Sequence, residues 1–494
     1  MAERPNVLLI VVDACRADHV APYGERAETP AVASLAAEGT VYRRAISPAP
    51  WTLPSVTSLL TGRYPHEHGA TSRGFATDAP TLVDDLSAAG YRCIHVSPTT
   101  WIGDWLPQGR GFDGVEEFTG PTHRRFDGGA DVRDLSEGVA RGPEWYATVV
   151  RRALASDSPL RSLGNAAAYK LSEATGDAWL DDVRASETAA RTVDELLGEL
   201  ADGDAPFFAY VHLMDPHLPW YVPTEFESDV RPPGRDSREE ERRYVDELVD
   251  DLWAVRVGER TLSADERGFL RARYADAVEY ADRAVGRMLE SLAGHGLGDD
   301  TLVAFTADHG EHLGERVGGR TMLDHQQSVR LPVLRVPLVV RLPGRFAATE
   351  SDELVQPHYL APTVRELAGL EGYPSRSLLV GDDERRSTAL AEYDGVVASH
   401  PPAGYRTDEC FRRRVAAVEG EWKLDVVGDH RRAARIDWEA DETHEVDPEA
   451  VPDDVRESLE AALSAATDRD RPGAGGRREV PEGVGRRLAD LGYR

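Results

Sequence analysis

A hydroxyl group that could act as a nucleophile stands in the segment Ser47–Gly69, which reads SPAPWTLPSVTSLLTGRYPHEHG. Thr52 comes just before a Leu-Pro pair and an apolar run to Leu60, a pattern typical of a helix start. The first N–H groups of a helix lack partners within the helix and carry partial positive charge, so they attract anionic esters. Thr52 or Ser55 could equally be an N-cap, a common role for such residues before a proline. The segment alone leaves both interpretations open.

Acidic and imidazole side chains that could complete a hydrolytic site follow predicted strands elsewhere in the chain. Hydrolysis of a phosphate or sulfate ester needs a deprotonated oxygen nucleophile, neutralised ester charge and a stabilised leaving group. A divalent metal bound to the nucleophile serves the first two needs. Each acidic residue could be a simple turn residue, but together they predict a metal site with ligands Asp13, Thr52, Asp308 and His309. Mixed carboxylate and imidazole ligands favour Mn or Zn over Ca or Mg.

Short apolar runs alternate with segments of helical periodicity along most of the chain. This alternation predicts a mostly parallel sheet flanked by helices, with ligand-binding residues beyond the carboxyl ends of its strands. The predicted strands cover Asn6–Val12, Tyr91–Val96, Pro206–Leu213 and Thr301–Thr306, and the predicted helices cover Thr29–Gly39, Thr81–Gly90 and Arg271–Leu289.

The pattern changes beyond about Leu370. Alternating residues in Arg412–Val427 predict a small antiparallel sheet, and the stretch after Asp468 is rich in Arg, Gly and Pro. We expect a catalytic domain over residues 1–370, a C-terminal subdomain over 371–467 and a mobile tail over 468–494 that could end in a helix.

The composition limits the partners of the protein. The 494 residues include 87 Asp and Glu against 57 Lys and Arg, a net charge of -30 that repels nucleic acid and anionic lipid. Acidity spread along the chain is typical of halophile proteins, although an acidic protein from a GC-rich genome is the alternative. Three scattered cysteines form no disulfide framework or zinc cluster, and no apolar run approaches the roughly 20 residues of a membrane span. We expect a cytoplasmic protein without a membrane span.

Several motifs carry a resemblance to a known family. They include NVLLIVVDACRADH from Asn6, PSVTSLLTGRYPHEHG from Pro54, HLMDPHLPW from His212 and FTADHGEHLGE from Phe305. Through these motifs the whole chain resembles the sulfatase family of the alkaline phosphatase superfamily. The resemblance implies an alkaline-phosphatase-like α/β domain and a smaller C-terminal subdomain with a short antiparallel sheet. It also implies a metal held by Asp13, Asp308 and His309, with the nucleophile at Thr52.

Some positions depart from the family pattern. Sulfatases carry Cys or Ser where Thr52 stands and oxidise it to formylglycine, whereas oxidation of a threonine would give a ketone. The Arg that supports formylglycine is Val56 here, and the second Asp of the usual pair is Ala14. The lysine-containing sulfate-binding signature has no clear counterpart, since SPTTWIG from Ser97 stands near its place. Threonine instead resembles the phosphoryl-transferring relatives, such as lipoteichoic-acid synthases, phosphoethanolamine transferases and nucleotide phosphodiesterases.

Further site residues follow from the resemblance. His217 matches a substrate-contacting histidine, and His325 stands roughly at the place of another; both would hold ester oxygens or protonate the leaving group. Arg16 would add positive charge for substrate binding, unless it forms an ion pair. Asp215 and His217 could recruit a second ion, which would favour two-metal phosphodiesterase chemistry.

These observations predict a sulfatase-family, metal-dependent hydrolase of anionic esters. The preferred substrates are phosphate mono- or diesters of a small molecule or saccharide. In this interpretation metal-bound Thr52 attacks phosphorus, and water releases the resulting phosphothreonine. The alternatives are a sulfate ester hydrolase that acts without formylglycine, a phosphotransferase and a catalytically silent family member.

Overall fold

The computed structural model describes residues 4–467 except 72–73, 76, 98, 104–105, 118–128, 131, 137–138, 140–141, 157, 176–184, 202, 371–375, 380–387, 396–410 and 429. The expected tail over 468–494 lies outside the described residues. The strands are β1 (Asn6–Val12), β2 (Thr40–Ile46), β3 (Arg92–Ser97), β4 (Gly114–Glu117), β5 (Phe207–Leu213), β6 (Thr301–Ala307), β7 (Leu313–Val317), β8 (Arg320–Leu323), β9 (Arg335–Val336), β10 (Leu338–Arg341), β11 (Thr349–Val355), β12 (Thr388–Tyr393), β13 (Arg414–Glu419), β14 (Trp422–Val427), β15 (His430–Asp437) and β16 (Glu442–Val446). The helices are α1 (Pro30–Glu38), α2 (Thr52–Thr61), α3 (Pro65–His68), α4 (Leu82–Ala88), α5 (Val132–Leu135), α6 (Pro143–Leu154), α7 (Pro159–Thr175), α8 (Ala185–Ala201), α9 (Arg238–Asp250), α10 (Leu252–Val257), α11 (Ala264–Gly294), α12 (Leu331–Leu334), α13 (Leu360–Leu367) and α14 (Asp453–Thr467).

A large mixed sheet forms the centre of the molecule. Its strand order is β11-β2-β10-β6-β1-β5-β3-β4, and the short β9 pairs with β2. The strands from β6 to β4 pair in parallel, as does β11 with β2, whereas β10 runs antiparallel to both its neighbours. The predicted mostly parallel sheet flanked by helices is therefore confirmed.

Strand β1 lies at the middle of this sheet because its sequence suits burial on both faces. It reads NVLLIVV, and every residue after Asn6 is buried. In the register of the sheet, Val12 lies opposite Leu213 of β5 and Ala307 of β6. The three strands thus end at the same level, and the polar residues that follow them are brought together.

A second, antiparallel sheet with the order β12-β13-β14-β15-β16 follows the first in the chain. Helix α14 packs on it through Leu459 and Leu463, which share an apolar cluster with Leu424. The sequence predicted this C-terminal antiparallel sheet only from the stretch that forms β13 and β14. Of the other three strands, β15 and β16 carry more exposed polar residues, so their apolar alternation is weaker.

The two sheets are joined by the buried side chain of Gln356. Its amide nitrogen donates to the carbonyls of Ile46 (3.1 Å) and Leu390 (2.8 Å). Its amide oxygen accepts from the backbone N–H of Leu390 (3.1 Å) and the hydroxyl of Tyr64 (2.8 Å). Such a fully bonded amide fixes the second sheet against the edge of the first.

Among the described helices, none combines the length and the apolar character that a bilayer crossing requires.

The start of helix α1 is stabilised by a side chain from another helix, which gives a test of the packing. Asp282 of α11 accepts hydrogen bonds from the backbone N–H groups of Ala31 and Val32, both at 2.9 Å. We expect Asp282→Ala to lower the free energy of unfolding by about 1–2 kcal/mol, because two helix-start donors lose their acceptor. Urea denaturation measures the change.

The matched control is Glu290→Ala, which removes an exposed carboxylate from the same helix. We expect it to change the free energy of unfolding by less than about 0.5 kcal/mol. Equal effects of the two substitutions would show that the Asp282 bonds do not stabilise α1.

Candidate active site

The ends of β1 and β6 deliver the acidic groups of the candidate site. Asp13 directly follows β1, while Asp308 and His309 directly follow β6. Thr52 opens helix α2, and all four residues are buried. The Thr52 hydroxyl Oγ1 lies 3.2 Å from Asp13 Oδ2 and 3.3 Å from His309 Nε2. The structure thus brings together the four side chains that the sequence predicted as metal ligands.

The position of Thr52 in its helix decides between the two interpretations of this residue. Trp51 occupies the N-cap position with an extended backbone, and Thr52 is the first helical residue. Ser55 donates its hydroxyl hydrogen bond to the carbonyl of Ala49 at 2.7 Å. The interpretation of Thr52 or Ser55 as the N-cap is therefore wrong, because Trp51 is the N-cap and both residues lie within the helix.

Each of the two carboxylates is held through one oxygen. Oδ2 of Asp13 lies 3.2 Å from Thr52 Oγ1 and 3.0 Å from His212 Nε2. Oδ1 of Asp308 accepts from the backbone N–H groups of Ala14 (3.2 Å) and His309 (2.8 Å). Ala14 adopts a positive φ of 55°, a strained conformation that turns its N–H towards this oxygen.

The other oxygen of each carboxylate faces the candidate site. Asp13 Oδ1 and Asp308 Oδ2 are buried and form no hydrogen bond with a described residue, although His309 Nε2 lies 3.5 and 3.4 Å away from them. Ligand atoms of Asp13, Asp308 and His309 all lie within 4.8 Å of one another. Buried carboxylate oxygens without donors are costly, and a divalent cation would satisfy them. The residues present therefore fit a metal ion.

The buried acids differ in their preferred charge. Burial raises the pKa of Asp13, but the hydrogen bond from His212 and nearby histidine charges outweigh it, so this pKa lies below its usual range. Burial and the neighbouring charge of Asp13 raise the pKa of Asp308 well above its usual range. Burial also lowers the pKa of His309 well below the usual value. Asp13 thus favours its charged form more strongly than Asp308 does.

Sequence reasoning assigned no role to His212, which the structure places behind Asp13. Its Nε2 lies 3.0 Å from Asp13 Oδ2, and its Nδ1 lies 2.8 Å from the hydroxyl of Tyr210. A tyrosine hydroxyl donating to Nδ1 leaves the proton on Nε2, where it can be donated to the carboxylate. The available signal was a histidine near the end of the otherwise apolar strand FFAYVHL.

The two further histidines lie on one side of His309. The ring centroids of His309 and His325 are 4.3 Å apart, and those of His325 and His217 are 5.1 Å apart. Nδ1 of His325 lies 3.2 Å from Glu311 Oε2, a partner that the sequence did not suggest. Its Nε2 is buried and makes no hydrogen bond to the residues that the structure describes. His217 Nδ1 bonds the carbonyl of Leu218 at 2.8 Å. The substrate-contacting roles of His217 and His325 stay predictions.

Arg16 is buried in a set of acidic partners. Its guanidinium makes two bonds to Asp18 (2.9 and 2.7 Å) and one to Glu315 (2.6 Å), with Asp441 at 3.9 Å. Arg16 thus forms ion pairs, which was the alternative to a role in substrate binding. Its positive charge is largely compensated, and a role in substrate binding stays a prediction.

Asp215 lies after β5, where it accepts a hydrogen bond from the Ser186 hydroxyl. Burial raises the pKa of Asp215 to about 6. Within the described part of the chain, no cluster of three metal-ligating groups includes Asp215 or His217. The second ion stays a prediction.

Comparison with known proteins identifies the family. The family model described as Sulfatase matches residues 5–370. The chain belongs to the sulfatase family. It is 25% identical over 404 residues to the endo-4-O-sulfatase of Bacteroides thetaiotaomicron. The aligned region covers 75% of this chain and 70% of that relative. The predicted resemblance is confirmed, and the protein is a hydrolase acting on ester bonds.

Solved structures share the fold across nearly the whole chain. The phosphonate monoester hydrolase SpPMH from Silicibacter pomeroyi superposes with a TM-score of 0.65 at 21% identity, covering 97% of this chain and 98% of that one. A structure in complex with its substrate D-glucosamine-2-N,6-O-disulfate gives a TM-score of 0.61 at 18% identity, covering 95% and 99%. These similarities confirm the alkaline-phosphatase-like architecture of this sulfatase-family chain.

Metal binding to the unpartnered carboxylate oxygens can be tested directly. We expect Mn²⁺ or Zn²⁺ to raise the Tm of the wild-type protein, since a ligand at a hundred times its Kd adds about 2.7 kcal/mol of stability. Asp308→Asn should abolish this increase, because the amide keeps an acceptor for the two N–H groups but removes the anionic oxygen. Thermal scans with and without metal measure the effect.

The control for metal binding is Asp215→Asn, which changes an acid outside the cluster. Metal content by mass spectrometry should stay at that of the wild type if one ion is bound. A loss of half the metal in Asp215→Asn would place a second ion there, and an unchanged Tm increase in Asp308→Asn would contradict the metal site.

The contact behind Asp13 gives a further prediction. We expect His212→Leu to weaken metal binding by about 10–100-fold, the usual effect of removing a hydrogen bond to a ligand, and Tyr210→Phe to have a smaller effect in the same direction. Titration calorimetry measures both. Tyr91→Phe is the control, because its hydroxyl bonds the carbonyl of Pro5 near the opposite end of the sheet. Equal affinity in His212→Leu and Tyr91→Phe would show that His212 does not orient Asp13.

Proposed function

We propose that the protein is a metal-dependent hydrolase of phosphate esters in which the Thr52 hydroxyl is the nucleophile. The supporting observation is the position of Thr52 Oγ1, within 3.3 Å of both Asp13 and His309 at the start of a buried helix. The partial positive charge of the helix start favours an anionic ester at this place.

The residue type at position 52 supports phosphorus over sulfur. The formylglycine of other family members arises from a primary alcohol or thiol, and the secondary alcohol of Thr52 cannot give that aldehyde. Thr52 must therefore act as a hydroxyl if it acts at all. Direct attack by a hydroxyl, followed by hydrolysis of the ester formed, is a familiar covalent route for acyl and phosphoryl groups.

The buried cluster accounts for how the hydroxyl becomes reactive. Asp13, Asp308 and His309 would hold the metal, for which we propose Mn or Zn because the ligands mix oxygen and nitrogen. A divalent ion held there supplies Lewis-acid charge that lowers the pKa of a nearby hydroxyl and polarises the ester. The nearest carboxylate acceptor for the proton of Thr52 is Asp13 Oδ2, at 3.2 Å.

The histidines beside His309 complete the proposed reaction. As the bond from Thr52 Oγ1 to phosphorus forms, the bond from phosphorus to the leaving oxygen breaks, and that oxygen takes a proton. His217 and His325 lie on this side of the cluster and would hold ester oxygens or supply the proton. Water then attacks the phosphothreonine and releases phosphate and the free hydroxyl.

We expect the substrate to be a small-molecule or saccharide ester. A relative in the family is an endo-4-O-sulfatase, and a structural neighbour was solved with a sulfated sugar as its substrate. These similarities support a saccharide, while Thr52 supports phosphate as the anionic group.

Substitution of the nucleophile tests this proposal. With aryl phosphate, bis-aryl phosphate and aryl sulfate in the presence of Mn²⁺ or Zn²⁺, the wild type should turn over a phosphate ester fastest. Thr52→Ala should lower kcat/KM by about a thousandfold or more, because the covalent route is lost. Acid-quenched wild type should contain phosphate on Thr52, detectable by peptide mass spectrometry.

The control is Thr57→Ala, since the Thr57 hydroxyl donates to the carbonyl of Leu53 within α2, at 2.8 Å. It should retain kcat/KM within a few-fold. Faster turnover of aryl sulfate than of either phosphate ester by the wild type, or full activity in Thr52→Ala, would contradict the proposal.

A further inference from the structure

A cavity of about 560 Å³ lies between the β7–β8 hairpin, the segment after β8 and the second sheet. Six arginines line it, together with His430. The arginines are Arg320, Arg330, Arg412, Arg414, Arg431 and Arg432. We refer to this site as the arginine cavity.

The charge of the arginine cavity is opposite to that of the whole protein. Among the described residues, its lining contains no Asp or Glu, whereas the chain as a whole has 87 acidic residues and 57 Lys and Arg. An acidic protein surface repels anions at long range, so a cluster of guanidinium groups creates a local site where an anion is favoured. Arginine is also the side chain whose planar fork best matches phosphate, sulfate and carboxylate oxygens.

Two of the arginines lack acidic partners. Arg330 pairs with Glu445 at 2.9 Å and Arg431 pairs with Glu460 at 2.6 Å. By contrast, the exposed Arg412 and Arg432 form no side-chain ion pair with any described residue. Their positive charges are therefore available to a ligand.

Two other arginines are fixed by neutral contacts. Arg320 donates to the carbonyl of Arg256, and the guanidinium of Arg414 lies 5.6 Å from the ring centroid of Tyr393. The arginine cavity is therefore partly preorganised, which lowers the entropic cost of binding an anion.

A single chain segment separates the arginine cavity from the candidate active site. Gln327 and Ser328 line the cavity, and the Ser328 hydroxyl lies 2.7 Å from His312 Nε2. His325 begins the same segment, and its ring lies beside that of His309. Three residues span at most about 11 Å, so the backbone of Ser328 at the cavity lies within about 11 Å of the backbone of His325.

We infer that the arginine cavity binds a second phosphate or sulfate group of a polyanionic saccharide whose reactive ester lies at Thr52. This inference rests on the proposed function for the position of the reactive ester. The saccharide is favoured over nucleic acid because the described part of the lining contains no Trp, Tyr or Phe on which bases could stack. The net charge of -30 also opposes binding of a long polyanion to the remaining surface.

Binding of a matched set of oligosaccharides tests the inference. The probes are maltotetraose carrying sulfate groups, the same sugar carrying phosphate groups, and unmodified maltotetraose, each titrated into the metal-loaded protein by calorimetry. We expect the charged sugars to bind and the unmodified sugar not to bind. The Arg412→Gln, Arg432→Gln double variant should weaken binding of the charged sugars roughly tenfold or more, since charge-assisted hydrogen bonds are lost.

The matched control is the Arg151→Gln, Arg345→Gln double variant, which removes two exposed arginine charges outside the cavity. It should bind the charged sugars within about twofold of the wild type, because such distant surface charges are largely screened. Equal weakening in both double variants, equal affinity in the cavity variant and the wild type, or tighter binding of duplex DNA than of the charged sugars would overturn the inference.

The Thr52→Ala variant separates failure of this inference from failure of the proposed function. We expect it to bind the charged sugars as the wild type does and to hydrolyse none of them. Binding that depends on Arg412 and Arg432, without hydrolysis of any ester by the wild type, would contradict the proposed function and support the cavity as an anion site. Hydrolysis that depends on Thr52, with affinity independent of the arginines, would do the reverse.

Discussion

The parallel pairing of β1 with β5 and β6 is the constraint on which the candidate site depends. Because Val12 lies level with Leu213 and Ala307, the chain leaves all three strands at one height. Asp13 and Asp308 then meet across the boundary between two strands that are almost 300 residues apart in sequence. A shift of the register would move one carboxylate relative to the other and break the cluster.

The electrostatic cost of this arrangement is offset within the site itself. Two carboxylates buried side by side would repel each other, and the raised pKa of Asp308 shows how the pair limits that repulsion. His212 and the backbone N–H groups around Asp308 hold one oxygen of each acid, so the remaining oxygens keep fixed positions. A site with fixed carboxylate oxygens suits a cation. The strained residue Ala14 contributes to it, because its backbone N–H bonds Asp308 Oδ1.

Charge is distributed unevenly over this acidic protein. Arg16 lies near the cluster of Asp13, Asp308 and His309. Its guanidinium forms ion pairs with Asp18 and Glu315, so it adds little positive potential. The arginine cavity is lined by six arginines, of which Arg412 and Arg432 form no ion pair with a described residue. Attraction of an anionic saccharide would therefore come from this cavity, while the buried cluster acts on the ester.

The sequence by itself determined the fold and the chemical groups, and the tertiary structure decided their partners. The apolar run of β1, the helix after Trp51 and the strand before Asp308 were predictable within a few residues, because burial and periodicity are local properties of the chain. The sequence also identified the four clustered side chains through their motifs. The pairing of His212 with Asp13 and of Arg16 with Glu315 was not predictable, since these contacts join residues that are distant in sequence and meet only in the folded protein. The arginine cavity was not predictable from the sequence either. Its lining residues lie in residues 317–330 and 412–432, which approach each other only in the folded protein.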